Sequence, residues 1–125
     1  QLRQVVKLFK EDQAPRIAYV AEYLGSTSGE DFPTLGDLKQ LLQLGRESMD
    51  RTGPEFDDLS GTFFSLASDF AFCLCAFVQK YRSDVDWVAS KTSKKTLTYN
   101  RPLIARPDYE AAEGYIDGLR FFLTR

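Results

Sequence analysis

The sequence predicts a helix-rich α+β domain, and three features carry that prediction. Apolar residues recur at helical spacing through roughly the first fifty positions. The stretch Leu59 to Tyr81 is apolar nearly all round. Beyond Tyr81 the apolar period falls from 3.6 to 2. Together they give the order α-α-α-α-β-β-α: four to five helices packed around one β-hairpin or small antiparallel sheet. A chain of 125 residues makes one domain, 1–125. At that size roughly two thirds of the unfolded surface can be buried, so a core forms without disulfide or metal.

Leu2, Val5, Val6 and Phe9 keep helical spacing and predict a short amphipathic helix, with 1–14 set at the periphery. Pro15 suits the first turn of a second helix. Its buried stripe is Ile17, Val20, Ala21 and Leu24, and Gly25 ends it. The loop Gly25 to Glu30 lacks the Gly-Lys-Ser/Thr ending of a phosphate-binding loop and follows no strand, which excludes that motif. Thr34 with Asp37 three residues on marks the next helix start. Leu35, Leu38, Leu41, Leu42 and Met49 keep its period to about Asp50, and Gly53-Pro54 breaks it.

The acidic patch Glu55, Asp57 and Asp58 precedes the apolar segment, where a helix N-terminus favours negative charge. Winding that segment as a helix leaves one narrow polar stripe, Thr62, Ser65, Asp69, Ala76 and Lys80, bordered by Phe72 and Cys73. If the stripe faces water, Phe72 is partly exposed and belongs to a partner-binding surface; the alternative packs it under a neighbouring loop. Cys73 and Cys75 point about 200° apart on a helix, so they cannot bond to each other. Both read as small core residues with unreactive thiols, which suits a reducing compartment.

Val85, Trp87 and Ala89 then alternate with Asp84, Asp86 and Val88. After a polar turn, Ser90 to Lys95, Leu97 and Tyr99 alternate with Thr96, Thr98 and Asn100. This predicts a β-hairpin with Trp87 and Tyr99 on its core face. Pro102 cannot donate to a ladder, so it ends the second strand or puts that strand at a sheet edge. Asp108 is a suitable N-cap for a last helix burying Tyr109, Ala112, Tyr115, Ile116, Leu119 and Leu123, with Gly114 and Gly118 spaced for close packing.

The chain contains no histidine, which removes Ser-His-Asp and Cys-His nucleophile activation. Zinc would have only Cys73 and Cys75, on opposite helix faces. Asp84 and Asp86 would share a strand face about 7 Å apart, a spacing open to a hard cation or an acid pair; a solvated outer face is the plainer reading. No catalytic, cofactor-binding or metal-ligating residue is therefore assigned, and no cofactor is expected. With a net charge of -2 and one small basic cluster at Lys91, Lys94 and Lys95, a nucleic-acid footprint is lacking. The apolar run Phe63 to Val78 is interrupted by Ser65, Ser68 and Asp69 and is too short to span a bilayer. The sequence opens on Gln1 rather than Met, as a processed, trimmed or excised chain does, and shows no charged-then-apolar leader. A soluble, cytoplasmic protein is expected.

The apolar helix Phe63 to Tyr81, the run Asp86-Trp87-Val88, the strand Leu97 to Ile104 with Pro102 and the helix Tyr109 to Leu123 form a recognisable succession. Over about half of the chain, this order of helix, Trp-bearing strand, strand and helix resembles that of small bacterial α+β domains. Some of these are uncharacterised and some are immunity proteins that block a cognate toxin. The resemblance implies a small α+β fold and an inhibitory role; no functional residue is carried over from it.

Two functions are consistent with these residues. The first is a non-catalytic protein-binding module, of the immunity-like inhibitor kind. Glu55, Asp57, Asp58, Phe72, Asp84 and Asp86 are its candidate contacts, and its partner is a protein with a basic surface or a second copy pairing through the edge strand. The alternative is a small-molecule-binding or carboxylate-dependent enzymatic domain. Its pocket would lie between the central helix and the hairpin, lined by Trp87, Tyr99 and Phe72. Asp69 would be the buried polar contact and would need a partner, because an isolated buried carboxylate is costly.

Overall fold

A computed structural model describes residues 2–52, 61–89, 102–109, 114–118 and 121–122. The apolar period at the N-terminus does not stop at Pro15: a single helix, α1, runs Leu2–Leu24 with Pro15 inside it. A proline in a helix interior removes one hydrogen bond and costs about 3 kcal/mol. Packing on both sides offsets that cost. Val6 and Phe9 before the proline, and Ile17, Val20 and Leu24 after it, all join the core. Pro15 itself is exposed, as is Glu11, whose carbonyl the missing N–H would have met. The expected pair of helices, the first of them peripheral, is therefore one continuous rod.

The end of α1 is as expected. Gly25 is left-handed, at φ 63, a conformation that costs glycine nothing. Its N–H donates to the Glu22 carbonyl and that of Ser26 to the Ala21 carbonyl, the paired bonds of a Schellman cap. A 3-10 turn, Gly29–Asp31, leads to α2, Leu35–Thr52.

Thr34 caps α2 reciprocally with Asp37. The Thr34 N–H and hydroxyl both donate to Asp37 Oδ2, each at 2.9 Å, and the Asp37 N–H donates back to Thr34 Oγ1 at 3.3 Å. Ser26 and Ser28 add their hydroxyls to the same carboxylate, at 2.9 and 2.7 Å. Burial pushes the Asp37 carboxyl up, but these hydrogen bonds outweigh it and hold the carboxyl below its ordinary value of 3.8. The stabilisation is thus complete above that ordinary value and is lost as pH falls past it toward the lower folded-state value. Asp37→Ala is expected to cost about 1–2 kcal/mol near neutral pH. In urea titrations its deficit relative to wild type should shrink below about pH 3.8.

The third helix, α3, spans Gly61–Tyr81, and every residue from Leu66 to Gln79 is buried or half-buried. One cluster, on the α2 side, gathers Val20, Leu24, Leu38, Leu41, Ala67, Phe70, Cys73 and Phe122. The other gathers Val6, Ala71, Phe72, Cys75, Val85, Trp87 and Ile104 between α3, α1 and the sheet. Two cores on opposite sides explain why this helix is apolar nearly all round, and why Cys73 and Cys75 belong to different clusters. At its end Lys80 donates from Nζ to the carbonyls of Asp31 and Pro33, tying α3 to the turn before α2.

The sheet is antiparallel and three-stranded among the described residues, in the order β1 (Asp86–Ala89), β2 (Pro102–Ala105), β3 (Tyr115–Ile116). Trp87 pairs with Ile104 and Ala89 with Pro102. Val85, Trp87 and Ala89 face the core as their alternation predicts, while Val88 packs on the other face with Leu103, Ala105 and Tyr109. The strand carrying Pro102 is not at an edge. It lies between β1 and β3, and the proline is tolerated because it is the first strand residue and β3 pairs only with Ile104 and Ala105.

The last helix does not begin at Asp108. The Tyr109 N–H closes a turn onto the Arg106 carbonyl, and Gly114 at φ +81 precedes β3. Among the described residues of this stretch, helical bonding appears from Gly118, where the Phe121 N–H reaches the Asp117 carbonyl. Gly118 does serve close packing: a Cβ there would meet the Ala71 Cβ of α3 at 3.0 Å. The described fold is thus α+β with three α-helices, fewer than the four to five expected. No helix among the described residues is long and apolar enough to cross a membrane. Tyr99, Glu55, Asp57, Asp58, Lys91, Lys94 and Lys95 lie outside the described residues.

Candidate functional site

Beside the stripe of Ile17, Val20 and Leu24, about 100° further round the helix, α1 carries Arg16, Tyr19 and Tyr23, spaced i, i+3 and i+7 so that they lie one above another. Asp69, from the polar stripe of α3, reaches this row. Its carboxylate accepts from Arg16 Nε at 3.0 Å, from Arg16 Nη2 at 2.8 Å and from the Tyr23 hydroxyl at 3.2 Å. The Arg16 guanidinium lies 4.6 Å from the centre of the Tyr19 ring, and the Tyr19 and Tyr23 rings meet edge to face at 5.3 Å. Asp69 is only 2% exposed, whereas Tyr19 and Tyr23 are 54% and 38% exposed. One buried carboxylate thereby fixes an arginine and two tyrosines on the surface.

Asp69 raises the Arg16 pKa, first through its hydrogen bonds, against the opposing effect of burial. Burial, and then the negative charge of Asp69, pushes the Tyr23 hydroxyl well above the ordinary tyrosine range. Neither group exchanges a proton near neutral pH, so neither suits general acid–base work. What the arrangement offers is rigid aromatic area with a cation fixed beneath it.

Asp69 therefore has the partner its burial requires, and that partner is Arg16. The sequence pattern gave no place to Arg16, Tyr19 and Tyr23; the available signal was their i, i+3, i+7 spacing on the face beside the apolar stripe. Asp69 and Phe72 line one concavity of about 280 Å³ with Phe9, Asp12, Arg16 and Ser65. Trp87 does not line it. Its ring packs edge-on to Phe9 and Phe72, and its Nε1 donates to Gln13 Oε1.

Two expected contacts are corrected. Phe72, expected to be partly exposed if its stripe faced water, is 5% exposed: Phe9 of α1 lies over it with ring centres 4.9 Å apart. Asp84 and Asp86 do not share a strand face. The strand begins at Asp86, which accepts the Trp87 N–H at 2.8 Å and lies 3.8 Å from Lys10. Asp84 sits in the preceding turn and pairs with Arg82 at 3.4 Å. Among the described residues no three thiols or carboxylates gather around a common point.

Burial pushes both thiols up to about 12, with a contribution from Asp69 at Cys73 and from Asp86 at Cys75. A disulfide reagent at pH 8 is expected to label Cys73 and Cys75 only as fast as the chain unfolds, and rapidly in denaturant. Fast labelling of the folded chain would contradict this packing. The chain matches no protein-family model, no curated protein and no solved structure.

Proposed function

We propose that this domain is a non-catalytic protein-binding module that contacts its partner through the α1 face bearing Arg16, Tyr19 and Tyr23. The observation that carries the reading is the buried Asp69 carboxylate, which holds all three polar contacts of Arg16 and Tyr23 in place on an exposed face. Tyrosine and arginine are the residue types that dominate binding energy at protein interfaces. Holding them in advance reduces the ordering cost of association. Asp12, before this row in sequence, and Glu22, within it, are both exposed on the same helix and favour encounter with a basic partner surface. A module of this kind acts by occupying a functional surface of its partner, which is how an immunity-like inhibitor works.

The test compares capture from an extract of the source cells by wild type, by Tyr19→Ala/Tyr23→Ala and by Tyr81→Ala. Tyr81 is 73% exposed and stands apart on α3, so it serves as the control. A stoichiometric partner should bind wild type and Tyr81→Ala alike, and the tyrosine pair variant at least about 30-fold more weakly. Failure to recover any such partner, or a partner indifferent to the tyrosine pair, refutes the reading.

A further inference from the structure

A second concavity, of about 500 Å³, has an aliphatic floor of Val78, Val85, Ile104 and Ile116 and is also lined by Arg82 and Arg106. Among the described residues no acidic side chain lines it. Its two arginines are placed alike. Each opens a tight turn whose closing N–H returns to the arginine's own carbonyl, from Val85 to Arg82 and from Tyr109 to Arg106, both at 3.1 Å. Each also pairs loosely with the acid two residues on: Arg82 with Asp84 at 3.4 Å and Arg106 with Asp108 at 3.7 Å. All four side chains are at least half exposed, so these pairs contribute little to stability. One contact of that kind occupies few of the five donors of a guanidinium.

We propose that this concavity binds a small organic oxyanion, a carboxylate or phosphate monoester carried on an apolar ring. Arg82 and Arg106 take the charged end, and the aliphatic floor takes the ring. A guanidinium presents a planar fork that matches the oxygens of carboxylate and phosphate. The volume lies within the range of small-molecule sites. Among the described residues, an incoming anion competes with two exposed and loosely held ion pairs. This site involves none of the residues of the α1 face and stands independently of the protein-binding reading.

The test uses phenyl phosphate and benzoate as probes, with inorganic phosphate and benzyl alcohol as controls, titrated into the 15N-labelled chain. At least one ring anion should bind saturably, with a Kd of about 1 mM for a probe of this size; which of the two does so distinguishes phosphate from carboxylate. The controls, each lacking one half of the recognition, should bind at least about tenfold more weakly. Arg82→Gln and Arg106→Gln should each weaken binding about tenfold without changing the melting temperature, since both side chains are exposed. Asp84→Asn/Asp108→Asn, which frees both guanidinia, should tighten it. The proposal fails if neither ring anion saturates, if inorganic phosphate binds as well as phenyl phosphate, or if binding is indifferent to both arginine variants.

Discussion

Trp87→Ala is expected to lower the unfolding free energy by about 3–5 kcal/mol, a large share of the 5–15 kcal/mol typical of a domain. Trp87 is 1% exposed and links three elements. Its ring packs against Phe9 of α1 at 4.9 Å and Phe72 of α3 at 6.0 Å, and it pairs with Ile104 of β2. Its indole N–H donates to Gln13 Oε1, while Gln13 Nε2 donates to Gln79 Oε1 and Gln79 Nε2 to the Val85 carbonyl. Removing the side chain leaves a cavity and breaks this relay at its start. Trp87→Phe separates the two losses: most of the packing stays, the Gln13 acceptor is left bare, and about 1–2 kcal/mol is expected. Urea unfolding followed by far-UV circular dichroism measures both, because the variants remove the only tryptophan. A Trp87→Ala deficit under 1 kcal/mol would contradict the described core.

The second large effect is an asymmetry across the Arg16–Asp69 pair. Arg16→Met leaves the Asp69 carboxylate buried with only the Tyr23 hydroxyl, and uncompensated buried charge is what makes a broken pair costly; about 3 kcal/mol is expected. Asp69→Leu leaves a guanidinium whose side chain is already 38% exposed and can swing into water. Its cost should be smaller, about 1–2 kcal/mol. The double variant Arg16→Met/Asp69→Leu should therefore be more stable than Arg16→Met alone, because the stranded charge is gone. Equal costs for the two single variants would show that Asp69 is not sealed from solvent. If the α1 face is the contact surface, both single variants also weaken partner binding, since the tyrosines lose their support.

Much of the architecture is legible where local chemistry decides it. Gly25 as a left-handed cap, Thr34 with Asp37 as a capping pair, and the burial of Cys73 and Cys75 on opposite sides of α3 all follow from spacing and residue type. So does the need of Asp69 for a partner, though not the identity of that partner, because Arg16 lies 53 residues away. Errors arise where tertiary packing overrides local preference. Pro15 reads as a helix start, yet the core contacts of Phe9 and Ile17 carry the helix through it. Tyr115 and Ile116 fit a helical stripe, yet pairing with Ala105 and Ile104 makes them a strand. Pro102 argues for an edge, and only the short reach of β3 shows why the middle strand accepts it. The Arg16–Tyr19–Tyr23 row escapes because the sequence alone cannot say which side of an amphipathic helix will meet another molecule.

The length of α1 has a consequence for how the chain reaches its native state. This rod of 23 residues, about 34 Å long, is made before the elements it leans on; Gln13 must wait for Trp87, 74 residues later. Until α3 and then β1 and β2 arrive, Val6 and Phe9 lack the cover of Phe72, Trp87 and Ile104. Contacts of such long sequence separation slow the search for the native topology, and a nascent chain halted before Trp87 would carry a bare greasy ridge open to aggregation.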